Sequence, residues 1–178
     1  MGKINSINPS TAKVLGSIET SSVKEIKNKV LEANNVNNDW KEMGLAERVR
    51  RLRKIPQEFI KRKEELASLA SKEMGMPITE SRLDIDDSVE FFNWYLDNAE
   101  RYLSPEVVFE DRKIKHTVYY EPYGVSAIIC PWNYPASNFV WMVAQNLIVG
   151  NVVVFKDSEL TPLFGKAIEE HKLEKGIS

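Results

Sequence analysis

Along this chain the spacing of hydrophobic positions changes from helical to strand-like and back. Between Thr79 and Leu103 the apolar residues Ile85, Val89, Phe92, Leu96, Ala99 and Leu103 step by 4, 3, 4, 3 and 4. That spacing predicts a helix with one narrow apolar seam, stopped by Ser104-Pro105. Further on, Gly124 to Cys130 is a short apolar run opened by a glycine and reads as a buried strand. Ala136 to Val149 has helical spacing closed by Gly150-Asn151, and Val152 to Phe155 is a second buried strand. Strand, helix and strand within about 30 residues predict a βαβ unit, with parallel strands and a right-handed crossover. Phe164 to Lys175 continues as a further helix with Gly176 past its end.

The first hundred residues read as an arm followed by helices. Residues 4 to 20 alternate loosely around an Asn8-Pro9 turn and predict a short hairpin. Ser22 to Glu25 forms an S-x-x-E capping box that opens a helix with Val23, Ile26, Val30 and Leu31 on its apolar face. Asn34 to Asp39 is rich in Asn and Asp and is expected to be loop. A long helical pattern then runs from Leu45 to Leu69, with a kink or break expected near Ile55 because of Pro56. Gly75 and Pro77 end it. Glu106 to Phe109 and Ile114 to Tyr120 predict a hairpin around the charged turn Glu110 to Lys113.

The βαβ pattern carries the first functional expectation. In open parallel sheets ligands bind beyond the carboxyl ends of the strands. Asn133 lies just past the end of the first strand and Lys156 just past the end of the second, and neighbouring strands lie only ~5 Å apart. An amide and an ammonium are therefore expected on one ligand-binding rim. Composition narrows the classes without adding a site. The 178 residues hold 24 basic and 26 acidic side chains, so no global field attracts nucleic acid. No apolar run approaches the ~18 residues of a membrane helix. Cys130 is the only cysteine, which excludes an intrachain disulfide and suits a reducing cytoplasm. Arg48, Arg50, Arg51, Arg53 and Lys54 are interrupted by glutamates and read as a solvated helix face. Asp84, Asp86, Asp87 and Glu90 read as an acidic helix start favoured by the helix dipole, and no metal site is expected. His116, alone on the charged hairpin, reads as a surface or interface residue.

Three stretches resemble the aldehyde dehydrogenase superfamily. Glu121-Pro122-Tyr123-Gly124-Val125 is similar to its E-P-x-G-V entry, and Pro131-Trp132-Asn133-Tyr134-Pro135 to its P-W-N-x-P turn. Lys156-Asp157-Ser158-Glu159 with Thr161-Pro162 is similar to its K-P-x-E-x-T-P motif. Ile7 to Gly16 resembles its opening N-P-x-T-G-x-x-I arm, which makes the N-myristoylation pattern at Met1 to Ser6 a chance match. The resemblance implies a truncated, incomplete Rossmann-like α/β fold. Residues 1–103 would be the N-terminal arm and helices of the cofactor-binding domain, 104–121 a hairpin joining the oligomerisation arm, and 122–178 the first βαβ unit. It further implies that Asn133 donates to the oxyanion and that the turn's backbone, Cys130, Pro131 and Trp132, lies along NAD or NADP. Lys156, Ser158 and Glu159 would bind at the adenosine ribose. Asp157 stands where the family has proline; its charge beside the ribose would disfavour a 2′-phosphate and so favour NAD.

Read without the resemblance, these residues have plainer roles. Asn133 is a turn residue between prolines, Trp132 a core aromatic, Lys156 a solvated lysine and Glu159 a helix-start carboxylate. The Cys130 side chain, at the end of a buried strand, reads as an inert thiol and not as a nucleophile. No G-x-G-x-x-G, G-x-S-x-G or C-x-x-C occurs. The family's E-L-G-G segment with the general base and its catalytic-cysteine segment do not occur in these residues either. The resemblance thus implies the N-terminal part of an enzyme whose thiolate attacks an aldehyde before hydride transfer and thioester hydrolysis, inactive on its own. The helix Phe91 to Glu100 and Leu103 to Glu106 resemble the semialdehyde-oxidising branch. The competing expectation is a non-catalytic interaction or assembly module. Expected partners are an aldehyde substrate and either further copies of the chain or a complementing C-terminal chain.

Overall fold

The computed structural model describes residues 2–174. The arm is an antiparallel hairpin, β1 (Lys3–Ile7) and β2 (Val14–Glu19), with a register shift at Ser6/Ile7. Asn8 makes its turn, its side chain accepting the N–H groups of Ser10 and Thr11. Helix α1 (Val23–Glu42) opens on the predicted capping box, in which Ser22 and Glu25 satisfy each other's backbone N–H.

That helix runs straight through Asn34 to Asp39, where a loop was expected. Asn and Asp cost a helix only ~0.7 kcal/mol each, and tertiary contacts outweigh that. Ala33 is buried. The Trp40 indole donates to Leu147 O at 3.0 Å, and Arg48 donates to the last carbonyls of α1, Trp40 O at 3.4 Å and Lys41 O at 3.0 Å. Arg48 also donates to Ile148 O at 3.1 Å. It is thus buried, against the expectation of a solvated basic face, because it donates to carbonyls at the ends of two helices, where intrahelical donors run out. Arg50 and Arg51 do lie on the surface, paired with Glu47.

The long helical pattern resolves into α2 (Leu45–Leu52), α3 (Lys54–Lys61) and α4 (Lys63–Met74). The break at Arg53 puts Pro56 in the first turn of α3, where its missing N–H costs nothing. Gly75, at φ 78°, ends α4 in the left-handed region that glycine favours. Helix α5 (Ile78–Leu103) buries Ile85, Phe92, Leu96 and Ala99 of the predicted seam. The hairpin β3 (Glu106–Glu110) and β4 (Lys115–Val118) is exposed at every position but Thr117. His116 lies on that surface, against the Phe109 ring.

Strand β5 (Val125–Ile129) pairs in parallel with β6 (Val152–Lys156), Val125 opposite Val152 and Ile129 opposite Lys156. Asn151 sets this register by accepting the Gly124 N–H at 2.9 Å. Between the strands run α6 (Pro135–Phe139), a π-helical turn (Val140–Ala144) and α7 (Gln145–Val149). Helix α8 (Pro162–Glu174) follows β6. The expected end of this helix at Lys175 and Gly176 lies outside the described residues. One core joins α2 through α8 to β5, with Phe139 between Phe59 and Phe155.

Candidate functional site at the strand ends

Because β5 and β6 are in register, their carboxyl ends stop side by side. The Cys130 N–H donates to Lys156 O at 3.0 Å, a last ladder bond that ties the two loops together where they leave the sheet. Pro131 to Tyr134 are exposed on one side of this point, and Lys156 and Glu159 on the other. The Asn133 turn and Lys156 therefore leave the sheet at neighbouring strand ends.

The turn is held from below. Pro135 begins α6, and Asp84, reaching from α5, accepts Ala136 N and Ser137 N at 3.1 Å each and Ser137 Oγ at 2.5 Å. Asp84 is buried, so it is not the solvated helix-start acid expected from sequence; it caps a neighbouring helix instead. Burial raises its carboxyl above the usual range, and the three donated bonds oppose that. No cluster of metal-ligating side chains exists among the described residues. Asn133 is exposed at the top of the turn, its Oδ1 accepting from Asn138 Nδ2 at 3.3 Å.

On the other side, Lys156 Nζ donates to Asp157 O at 2.9 Å and lies 3.4 Å from Glu159 Oε2. Its own backbone N–H and then Lys156 hold the Glu159 carboxyl below its usual range. Ser158 is buried, and its hydroxyl accepts Leu160 N at 3.2 Å, so it shapes the turn and does not face the rim. Trp132, 45% exposed, and Glu159 share a cavity of about 270 Å³ with Leu160, the β1 hairpin and the end of α4; Asn133 and Lys156 do not line it.

Asp157 departs from expectation. Its carboxyl turns inward, Oδ2 accepting from Thr161 Oγ1 at 3.3 Å, while Oδ1 is buried without a partner. Helix α8 passes so close that a Cβ on Gly165 would sit 2.5 Å from the Asp157 Cβ. Burial pushes this carboxyl up to about 7, and nearby Glu73 adds to the rise. The Asp157 carboxyl therefore turns away from the rim, which removes the reason for favouring NAD over NADP. Glu73 was not singled out in the sequence. It is buried and accepts Ser6 Oγ, Leu163 N and Phe164 N, tying the hairpin and α4 to the start of α8. Cys130 behaves as expected: it is buried, its sulfur lies 3.6 Å from Met142 Sδ, and burial, then Asp157, push the thiol up to about 11.

The exposed residues fit a nucleotide. An ammonium and a carboxylate 3.4 Å apart match the donor and acceptor needs of a ribose diol. Ile129, 71% exposed opposite Lys156, offers an apolar surface for a base.

The whole chain resembles known proteins in sequence and in fold. The sequence model described as "Aldehyde dehydrogenase family" matches residues 1–177. The peroxisomal aminoaldehyde dehydrogenase 2 of Pisum sativum is 35% identical over 188 aligned positions, which cover 98% of this chain and 37% of the relative. A succinic semialdehyde dehydrogenase from Streptococcus pyogenes, solved with NADP+, superposes with a TM-score of 0.89 at 25% identity, over 97% of this chain and 38% of its own. A betaine aldehyde dehydrogenase from Staphylococcus aureus, solved with NAD+, gives 0.89 at 27%, over 98% and 36%. The chain thus spans little more than a third of the length of these proteins.

Proposed function

The chain belongs to the aldehyde dehydrogenase family, and from that premise we propose that it forms the N-terminal part of an NAD(P)-dependent enzyme oxidising an aldehyde to a carboxylic acid. Its contribution is half a site. Lys156 and Glu159 would hold the adenosine ribose, and the backbone from Cys130 to Trp132 would lie along the dinucleotide, which when bound supplies the hydride acceptor. Asn133 Nδ2 donates to the aldehyde oxygen as negative charge develops there; loss of one such donor typically costs ~10²–10³ in turnover. Cys130 supplies no nucleophile, since its thiol is buried and held protonated. The 178 residues by themselves therefore give no turnover. A semialdehyde is the proposed substrate class, supported by the solved succinic semialdehyde dehydrogenase among the similar proteins. The lone reduced thiol fits a reducing compartment, and the cytoplasm is the proposed one.

The observation that carries this reading is the register of Ile129 with Lys156, closed by the Cys130 to Lys156 bond, which sets the Asn133 turn and the Lys156–Glu159 pair on one rim. Calorimetric titration with NAD and NADP tests it. Binding should be measurable, and Lys156→Ala should weaken it about tenfold or more, as loss of a charged hydrogen bond does. Equal affinities in the two proteins would remove Lys156 from the site. A second reading, an assembly module, is favoured by the hairpin β3–β4, which exposes Val107, Phe109 and Ile114. Self-association or capture of a complementing C-terminal chain without nucleotide binding would support it instead.

A further inference from the structure

Asn133 is exposed, and a free carboxamide there would present its oxygen and its NH2 to the rim equally well. Only the NH2 can serve a developing oxyanion. The structure contains a device that chooses between them. Asn138, the fourth residue of α6, is only 6% exposed. Its Nδ2 lies 3.5 Å from the backbone oxygen of Pro131 and 3.3 Å from Asn133 Oδ1. A backbone carbonyl only accepts, so the Asn138 atom facing Pro131 has to be its NH2. The second proton of that NH2 then needs an acceptor, and Asn133 can meet it only with its oxygen. Asn133 Nδ2 is left pointing outward, and no acceptor among the described residues meets it. The Pro131 carbonyl thus fixes Asn138, and Asn138 fixes Asn133.

We infer that Asn138 is a positioning residue that keeps the Asn133 NH2 turned toward the rim. The role of that NH2 as an oxyanion donor rests on the reading of Asn133 above; its orientation does not. Fixing a donor in advance removes the reorganisation that a freely flipping amide would undergo at the moment of reaction. The chemistry of residue 138 then decides the direction. An aspartate of the same shape would be an acceptor only. It would clash electrostatically with Pro131 O and draw the Asn133 NH2 inward.

The test reads the Asn133 carboxamide by NMR in the labelled 178-residue chain, its signals assigned by their disappearance in Asn133→Asp. In the unsubstituted protein the NH2 protons should exchange with water as fast as those of a solvated amide, while the side-chain carbonyl carbon shows the downfield shift of an accepted hydrogen bond. In Asn138→Ala exchange should stay fast and the carbonyl carbon should return to its solvated position. In Asn138→Asp the Asn133 NH2 should become protected about tenfold or more, as one charged hydrogen bond allows. An NH2 already protected in the unsubstituted protein, or a carbonyl carbon at its solvated position there, would overturn the inference even if neither variant folds. Identical Asn133 signals in the unsubstituted chain and in Asn138→Asp would overturn it too. None of these readings requires nucleotide or aldehyde, so failure here is distinct from failure of the proposed function.

Discussion

At the scale of single residues, the Asn133 turn rests on Asp84, which accepts the N–H groups of Ala136 and Ser137. Asn133 and Lys156 could be picked out because each follows a strand, and Glu159 only through the family resemblance. The support from Asp84 could not, since a carboxylate 52 residues upstream of the N–H it accepts leaves no local signal. Asp157 was misjudged for a related reason: sequence shows a charge but not which way it turns. Its folded value of about 7 lies above the ordinary 3.8, so the folded chain holds the proton more tightly than the unfolded one. The stabilisation this gives is full below about pH 4, is lost as pH rises through about 7, and is flat beyond. Chemical denaturation across that window should show a decline on the order of a few kcal/mol that Asp157→Asn reduces; an undiminished decline in the variant would assign it to other groups. The same substitution should leave the ratio of NAD to NADP affinity unchanged, and a ratio that moves would put the carboxyl back at the ribose. Cys130 should react with a thiol reagent about a hundredfold more slowly than a free thiol. Rapid labelling that an aldehyde blocks would make it a nucleophile after all.

Elements were legible where an end signal coincided with a change of period. The capping box at Ser22, Gly75 after α4 and Ser104 after α5 all mark observed boundaries. In α1 the weak propensity of Asn34 to Asp39 loses to packing that only the folded chain provides. Arg48 is the clearest part of that packing, because it serves the ends of α1 and α7 together. Arg48→Met keeps the apolar stem but removes the donor to Ile148 O, Trp40 O and Lys41 O, and should lower stability by about 2–3 kcal/mol. A urea midpoint that falls at unchanged slope would show this. Arg50→Met, which removes only surface pairing with Glu47, should change stability by less than about 1 kcal/mol. Comparable losses in the two variants would contradict the distinction.

For the whole molecule, the parallel pair and its rim were foreseen because two short apolar runs bracketing a helix have few other ways to pack. How one core would connect the helices to that pair was not, since no local pattern encodes it. The described residues also expose much apolar surface, including Ile129 on β5 and Phe91, Trp94 and Trp141 around α5. Exposed patches of this kind favour association, so light scattering should show a mean mass that grows with concentration, whereas a monodisperse monomer would contradict it. Assays with NAD, NADP and several aldehydes, succinate semialdehyde among them, should detect no turnover. What remains most open to direct test is whether the two strand ends form a single nucleotide site. Backbone amide shifts of the labelled chain, followed during titration with NAD, answer that. The rim predicts that Cys130 to Tyr134 and Lys156 to Leu160 shift together along one binding curve. Shifts confined to one of these loops, or centred on the β1–β2 hairpin, would contradict it.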